Sequence, residues 1–276
     1  MTSWRLKIRF WGVRGSVPTP VRENLGFGGN TACVEMQSSD GDTLIFDAGS
    51  GIRELGVHLI QQSGGKPLDI HLFMSHFHWD HVLGLPFFAP LFGSKNAVTI
   101  YSSPYSDSLN PAIEGVLAAP YFPVEFDALP SRVSLRDVPS GGIHVGSMNV
   151  TPFPVRHPQG SCGYRVETAG AVAIYVPDRE PGNKDMDQVI VDYCRGADVL
   201  IHDCQYTPEE YITHLGWGHC DWSEAARVAC AAEVKRLILF HHDPMHSDEA
   251  VTGIAEKTRS MFPNTDAARE GWTIEV

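Results

Sequence analysis

Residues 76–81 read His76-Phe77-His78-Trp79-Asp80-His81 and directly follow an apolar run at residues 70–74. Four of these six side chains can bind a metal ion, through an imidazole nitrogen or a carboxylate oxygen. A turn after a buried strand can direct several side chains at one point, which a straight strand or a single helix face does not allow. A solvated polar turn is the alternative, but it accounts poorly for so dense a group. The stretch therefore predicts a metal site that suits zinc, manganese or iron.

The length and composition predict one large α/β domain that spans residues 1–276. The chain has 276 residues, of which 43% are hydrophobic and 20% charged, and these values are ordinary for a globular protein. No stretch approaches the length of a membrane span, and residues 1–10 alternate like a strand without the apolar centre of a secretory signal. We therefore expect a cytoplasmic protein that does not contact a membrane.

The cysteines and the acidic charge balance restrict the compartment and the partners. The six cysteines are scattered without CxxC spacing, which is typical of reduced thiols rather than of a disulfide framework or a thiolate zinc site. Acidic residues outnumber basic residues by 33 to 21, so the net charge is -12 and repels polyanions over distance. We therefore expect no large nucleic acid as a partner, although a positive metal centre can hold a small anion.

Hydrophobic period and turn residues predict an alternation of strands and helices. Strands are predicted at residues 5–11, 31–37, 43–47, 70–74, 133–138, 148–155, 163–167, 172–176, 199–202 and 237–240. Helices are predicted at residues 52–62 and 111–117, and a third begins after a capping pattern at Asp221 and runs through Ala232. The glycine-rich residues 12–16 and 28–31 lack nucleotide-binding spacing and are interpreted as tight turns.

Residues 86–130 differ in amino-acid composition from the rest of the chain. They are rich in aromatic residues and proline, and we interpret them as an insert within the domain. Segments of this length are either functional or internally packed, so a lid over the site, a packed surface subdomain and an interface between subunits all remain open. A homo-oligomer is the assembly that such an interface would support.

Three further predicted strands are followed by a histidine or an aspartate, namely His157, Asp178 and His241. This recurrence is typical of one site assembled from strand-end loops. Alternatives remain for each residue, because His157 and Asp178 could be ordinary turn residues and His242 could replace His241 as a ligand. We prefer His241 because it directly follows its strand, which leaves His242 for contact with a substrate.

These residues resemble the metallo-β-lactamase superfamily, whose HxHxDH signature corresponds to the opening stretch. The order of His157, Asp178 and His241 is similar to that of the superfamily's later ligands, and residues 45–49 resemble its early strand and Asp-x-Gly turn. Asp47 in that turn is expected to orient a histidine rather than to bind metal. The resemblance covers almost the whole chain and implies a four-layer αβ/βα sandwich with the site along one edge of two sheets.

The resemblance also implies a centre of two divalent metal ions. The first ion would be held by His76, His78 and His157. The second would be held by Asp80, His81 and His241, and Asp178 would bridge the two. One departure is Pro177-Asp178-Arg179, which stands where the superfamily commonly has Gly-Asp-Thr. Seven nitrogen and oxygen ligands without a thiolate suit two zinc ions, or manganese or iron, that share a bridging hydroxide able to act as a nucleophile at neutral pH.

Later segments resemble the phosphodiesterase branch of this superfamily, which includes ribonuclease Z. Residues 201–204 contain Asp203, and residues 218–226 contain His219. In that branch the acidic residue orients the histidine, and the histidine assists the departure of an alkoxide leaving group. We therefore expect Asp203 and His219 to act in catalysis together with Asp80. The alternative is that Asp203 and His219 are unrelated, one ending a strand and the other lying near a helix cap.

A third segment, residues 161–165, resembles the strand entry of that branch. A hydroxyl group and backbone amides beside a glycine can receive phosphate oxygens, so Ser161 and Tyr164 are weak candidates for substrate binding. The alternative is that Gly163 only packs and Arg165 faces solvent.

The residues together predict a metal-dependent hydrolase that acts on a small phosphodiester, such as a cyclic nucleotide. The same hydroxide could instead hydrolyse a thioester or a lactone, and the pair of Asp203 and His219 would then be expendable. A less favoured alternative is a nucleotide-binding regulatory protein without turnover. The metal centre alone does not choose between these substrates.

Overall fold

The computed structural model describes residues 4–276, so the first three residues of the alternating stretch 1–10 lie outside the described residues. The strands are β1 (Leu6–Gly12), β2 (Cys33–Ser38), β3 (Thr43–Phe46), β4 (Asp69–Phe73), β5 (Ala97–Ser102), β6 (Arg132–Asp137), β7 (Ile143–Val145), β8 (Met148–Val155), β9 (Ser161–Thr168), β10 (Ala171–Val176), β11 (Val199–Asp203), β12 (Leu237–Phe240), β13 (Thr265–Ala267) and β14 (Thr273–Glu275). The helices are α1 (Ile52–Ser63), α2 (Trp79–Val82), α3 (Leu109–Val116), α4 (Lys184–Cys194), α5 (Pro208–Tyr211), α6 (Trp222–Ala231) and α7 (Asp248–Arg259). None of the helices in this range combines the length and apolarity that crossing a bilayer requires.

The strands form two mixed sheets of seven strands each. The order is β14-β1-β2-β3-β4-β5-β6 in the first sheet and β13-β12-β11-β10-β9-β8-β7 in the second. In each sheet an antiparallel part meets a parallel part, which comprises β3 to β6 in the first sheet and β10 to β13 in the second. The two halves of the chain therefore repeat one topology, and the parallel strands of each sheet end at a common edge.

Apolar side chains cover both faces of each sheet. The inner faces meet in a cluster that includes Phe10, Phe46, Phe73, Tyr164 and Phe240. The outer face of the first sheet packs against α1 and α3, and that of the second packs against α4, α6 and α7. Helices on the outside and two sheets on the inside make the four-layer αβ/βα sandwich, as the resemblance implies. A sheet buried on both faces holds its strand ends rigidly, which suits a site built at one edge.

The predicted elements that the structure contains lie within two residues of their expected bounds. The interpretation of residues 86–130 as an insert needs correction, because β5 lies inside this segment and pairs with β4 and β6 in the first sheet. Its pairing partners, β4 and β6, are distant in sequence, so the local amino-acid composition did not indicate the pairing. The rest of the segment, including α3, packs on the outer face of that sheet. Helices α4 and α7 were also not predicted.

Candidate metal centre

Six strand ends place the candidate side chains along one edge of the two sheets. Asp47 follows β3, His76 to His81 follow β4, His157 follows β8, Asp178 follows β10, Asp203 ends β11 and His241 follows β12. Strand β8 runs in the same direction as β10, because β9 is antiparallel to both. The fold therefore brings together residues that are far apart in the chain, at the carboxyl ends of strands, where open α/β sheets commonly bind ligands.

The first cluster joins His76, His78, His157 and Asp178, whose possible ligand atoms all lie within 4.8 Å of one another. Nδ1 of His78 lies 3.0 Å from Nε2 of His157. Oδ2 of Asp178 lies 3.6 Å from Nε2 of His76 and 3.8 Å from Nε2 of His157. Three imidazoles and one carboxylate oxygen thus converge on a volume that could hold one divalent cation.

The second cluster joins Asp80, His81, Asp178 and His241 within the same 4.8 Å limit. Oδ1 of Asp178 lies 3.1 Å from Nε2 of His81 and 3.2 Å from Nε2 of His241. Oδ2 of Asp80 lies 3.0 Å from Nε2 of His241. The two oxygens of Asp178 therefore face different clusters, which is the geometry of a carboxylate that could bridge two cations.

Unpaired buried atoms in both clusters fit a metal ion. Within residues 4–276, Nε2 of His76 and Oδ1 of Asp178 are buried and make no hydrogen bond. A buried polar atom without a partner costs roughly 1–3 kcal/mol, and a cation would supply the missing partner for both. The all-nitrogen-and-oxygen donor set is one that zinc, manganese and iron accept.

The pKa values of the buried histidines follow from their surroundings. Burial lowers the pKa of His76 well below its usual value, and burial together with the neighbouring His219 lowers the pKa of His157 to about 4. Both imidazoles are thus neutral, which is the form that binds metal. Burial also opposes protonation of His81, but three carboxylates outweigh it and raise the pKa of His81 well above its usual value. The three carboxylates around His81 thus favour positive charge at this position, which a bound cation would supply.

Asp47 orients His81 of the second cluster through a hydrogen bond and is not itself a member of the cluster, as the sequence predicts. Its Oδ2 accepts hydrogen bonds from Nδ1 of His81 and from the hydroxyl of Tyr175, each at 2.8 Å. Its Oδ1 accepts the backbone N–H of Ser75 at 2.7 Å. Because Nδ1 of His81 is engaged in this way, Nε2 is left to face the cluster.

Two tight backbone approaches hold the ligands in place. His241 has a φ of 60°, a left-handed conformation that non-glycine residues adopt rarely and that often marks a functional site. A Cβ atom at Gly15 would lie 2.3 Å from Nδ1 of His241, so only glycine allows the loop at residues 12–16 to pass there. The backbone N–H of Ser16 in this loop donates to Oδ2 of Asp80 at 2.7 Å. This contact places the glycine-rich loop beside the second cluster.

Asp203 and His219 form a pair at the margin of both clusters. Nδ1 of His219 donates to Oδ2 of Asp203 at 3.1 Å and lies 3.8 Å from Oδ2 of Asp178. Burial disfavours the charged imidazole, but Asp203 and the other nearby carboxylates raise the pKa of His219 to about 9. The histidine is therefore protonated at neutral pH and could donate a proton.

The weak substrate-binding candidates need correction in two cases. The hydroxyl of Tyr164 is buried between the sheets and donates to the carbonyl of Met74 at 2.6 Å. The imidazole of His242 is buried and faces the carbonyl of Ala268 at 2.9 Å, and burial lowers its pKa to about 3. Both side chains thus stabilise the interior and do not face the site. Ser161 is fully buried at the start of β9, and its role in substrate binding stays a prediction.

Several residues that support the site were not predicted from the sequence. Glu180 is buried, and its two carboxylate oxygens accept the backbone N–H groups of Gly216 and Gly218 at 2.7 and 3.0 Å. Oε1 of Gln205 accepts from Nδ1 of His241 at 2.9 Å. Nothing in local period distinguishes these residues from surface polar residues, although Glu180 lies only two positions after Asp178.

Arg179, which the sequence shows only as a departure from the superfamily's pattern, is a further buried residue that supports the site. Its guanidinium is fully buried and pairs with Glu224 of α6 at 2.7 Å and with Asp187 of α4 at 2.5 Å. Its backbone N–H donates to Oδ2 of Asp203 at 2.9 Å. The arginine that departs from the superfamily's common pattern thus ties two helices to the loop that carries Asp178.

The model of the β-lactamase superfamily domain matches residues 42–242, which include every candidate ligand of both clusters. The chain therefore belongs to this superfamily, and the predicted membership and fold are confirmed. It is a metal-dependent hydrolase whose histidine and aspartate clusters call for divalent metal ions.

The curated relatives and the solved structures agree with this family. Two relatives named Ribonuclease Z, from Archaeoglobus fulgidus and Thermoplasma acidophilum, are 24% and 27% identical to the chain. Each alignment covers 98% of this chain and 97% or 96% of the relative. The metallo-β-lactamase fold protein YhfI from Bacillus subtilis has a TM-score of 0.73 at 19% identity and covers 99% of this chain and 100% of that chain. A diphosphatase of the PhnP family has a TM-score of 0.69 at 18% identity and covers 99% and 98%. At these identities the solved structures show the shared fold.

The expectation that no large nucleic acid is a partner is wrong, because the curated relatives are named Ribonuclease Z. That expectation rested on the net charge of -12, which sums over the whole surface. A local metal centre can hold a phosphate whatever the charge of the distant surface, since a bound cation is the largest charge in its own site. The overall charge therefore does not exclude RNA.

Proposed function

We propose that the chain hydrolyses phosphodiesters, and the pair of Asp203 and His219 carries this proposal. The His219 ring lies between the two clusters, with centroids 5.4 Å from His157 and 4.9 Å from His241. Because Asp203 engages Nδ1, Nε2 is the ring nitrogen left to face a substrate. An alkoxide leaves phosphorus poorly, and a proton from this nitrogen would assist its departure. The relatives named Ribonuclease Z support the same reaction class.

We further propose two zinc ions as the cofactor, held by the seven ligands that the two clusters supply. His76, His78 and His157 would hold one ion, Asp80, His81 and His241 the other, and Asp178 both. When bound, the ions would polarise a phosphoryl oxygen and lower the pKa of water towards neutrality.

The chain's own residues would orient the reacting groups. Asp203 fixes the rotation of His219 and stabilises its protonated form, so the proton is held at the margin of the site. The backbone N–H of Ser16 donates to Oδ2 of Asp80, the oxygen that faces His241, and so holds this carboxylate against the second cluster. Asp47 and Gln205 hold Nδ1 of His81 and of His241, so both imidazoles present Nε2 to the site.

A substrate panel tests this proposal. The zinc-loaded protein, with metal content measured by elemental analysis, is given bis(p-nitrophenyl) phosphate, a cyclic nucleotide, a short RNA, a thioester and a lactone. We expect hydrolysis of at least one phosphodiester and its loss in Asp178→Ala, while His144→Ala, at an exposed position of β7, stays active. Hydrolysis of the thioester or the lactone alone would overturn the proposal in favour of carbonyl chemistry. The panel includes RNA because the curated relatives are named Ribonuclease Z. It includes small diesters because the sequence predicts a small phosphodiester substrate.

We also propose that residues 86–130, apart from β5, form a lid of one continuous domain. Tyr121 in this segment contacts Trp79, which follows His78, with ring centroids 6.2 Å apart. Phe122, the next residue, contacts Phe87 of the same segment at 5.9 Å, so the part of the segment beside Trp79 is held by its own aromatic residues.

We place the protein in the cytoplasm, which is supported by six free cysteines, five of them buried, in the described part of the chain.

A further inference from the structure

Two exposed tryptophans flank the first cluster. Trp79 is 61% exposed and directly follows His78 at the start of α2. Trp217 is 62% exposed and directly precedes Gly218, whose carbonyl accepts a hydrogen bond from Nδ1 of His157 at 2.9 Å. Each ring is therefore one residue away from a group that holds the cluster. Tryptophan is enriched at binding interfaces, because its ring offers a large apolar face together with one polar N–H group.

Neighbouring aromatic side chains support each tryptophan. Trp79 meets the ring of Tyr121 at 71°, and Tyr121 is itself 72% exposed. Trp217 meets His214 at 85° with ring centroids 4.9 Å apart. His214 in turn stacks on Tyr206 at 4.6 Å. Contacts of this edge-to-face kind orient a ring while they leave much of its surface in solvent.

The series behind Trp217 continues to the catalytic pair, because Tyr206 lies 6.0 Å from the ring of His219. A ligand on Trp217 would thus adjoin the side of the site where a leaving group departs. Trp79 lies instead beside His78, which borders the first cluster. Groups attached to a phosphate held between the clusters would meet these two rings.

The charge of the chain also favours recognition through rings. With a net charge of -12, the surface as a whole does not attract the phosphates of a substrate over distance. Aromatic rings bind nucleobases by stacking, which does not depend on a positive surface and tolerates any base.

We propose that Trp79 and Trp217 stack on the nucleobases that flank the scissile phosphate, so that the substrates are nucleotidyl phosphodiesters. This inference rests on the proposed function and narrows its substrate class. Stacking on one aromatic ring would strengthen binding by roughly 5- to 100-fold. The rings would act in binding and would leave the chemical step unchanged.

Two diesters that differ only in their bases test the inference on the zinc-loaded protein. A thymidine dinucleotide carries a base on each side of the scissile phosphate, and the same dinucleotide with both bases removed carries none. We expect Trp79→Ala and Trp217→Ala each to raise KM for the dinucleotide by about 10-fold, with kcat and the KM of the base-free substrate unaffected. Trp79→Phe and Trp217→Phe keep a stacking face and should retain most of the affinity. Met261→Ala removes an exposed apolar side chain beyond the end of α7 and serves as the control.

Calorimetric binding of the thymidine dinucleotide to the zinc-depleted protein provides a readout without turnover. Weaker binding in both alanine variants supports stacking even if neither diester is hydrolysed, in which case only the proposed function fails. Unchanged nucleotide binding and unchanged KM in both variants would overturn the inference, and so would equal losses on both substrates.

Discussion

Asp178 and the residues that follow it show how three neighbouring positions serve three parts of the site. Asp178 offers one oxygen to each cluster. The backbone N–H of Arg179 holds Asp203, and the side chain of Glu180 holds the loop that supports His157. Each contact uses a different atom, so one short loop after β10 sets the positions of the proposed bridging ligand Asp178, of the partner of His219 and of the loop that supports His157.

His219→Ala tests the role of the proton donor at the residue scale. We expect kcat to fall by about 10²- to 10⁴-fold for a diester with an alkoxide leaving group. The loss should be much smaller for p-nitrophenolate, which departs without a proton. The measurement is kcat for two diesters that differ only in the leaving group, with His144→Ala as the control.

Equal losses of kcat on both leaving groups would contradict a proton-donor role. Metal content and thermal stability are measured for the variant in parallel, because a loss of zinc would lower both rates without any proton transfer.

At the element scale, the loop between α5 and α6 depends on Glu180. Gly218 has a φ of 93°, and a Cβ atom there would lie 2.2 Å from Nδ1 of His157, so the loop approaches the ligand as closely as a backbone can. Glu180 accepts two N–H groups of this loop and keeps it against the site. The loop also carries His219 and Trp217. Its position would therefore affect the proposed proton transfer from His219 and the proposed stacking of a base on Trp217.

Glu180→Ala should loosen this loop and weaken metal binding. Removal of the carboxylate leaves the buried N–H of Gly218 without its acceptor, at a cost of roughly 1–3 kcal/mol, whereas the N–H of the exposed Gly216 can bond to water. Supporting contacts of this kind are typically worth about 10- to 100-fold in metal affinity. We expect faster amide hydrogen exchange at Gly216 and Gly218 and a lower zinc affinity in chelator competition.

Glu209→Ala is the matched control for that experiment, since Glu209 is exposed on the neighbouring helix α5. If zinc affinity and exchange at Gly218 are unchanged in Glu180→Ala, the carboxylate does not position the loop.

At the scale of the whole molecule, the metal site joins the two sheets. Asp80 and His81 come from the first sheet, whereas Asp178 and His241 come from the second. Bound cations would therefore hold the two halves together, and their removal would leave buried carboxylates close to one another.

Chelation should accordingly lower the thermal stability of the protein, and added zinc should restore it. A ligand at 100 times its Kd stabilises the folded state by about 2.7 kcal/mol, so the change in Tm is measurable by calorimetry. Asp178→Asn should show a smaller response to zinc than the unaltered chain. An unchanged Tm after depletion verified by elemental analysis would show that the cations do not stabilise the fold.

Most strand and helix positions could be predicted from the sequence. The spacing of apolar residues indicates which side of a segment packs on the core, and turn residues indicate where the segment ends. Strand β5 shows the limit of this reasoning. Its residues alternate like those of other strands, but its place between β4 and β6 depends on pairing with distant segments. The aromatic and proline-rich residues around it therefore led to its interpretation as part of an insert. Sheet order is a property of several segments at once, and no single segment contains it.

The sequence by itself determined the metal chemistry and the fold family. The stretch from His76 to His81 places four metal-binding side chains in one turn, and local geometry alone brings them close. Only the tertiary structure decided that Asp178 faces both clusters and that Asp203 meets His219. It also decided that His242 turns inward and that Glu180 supports a ligand. The physical reason is that these contacts join strand ends from separate parts of the chain, so they exist only when the two sheets pack.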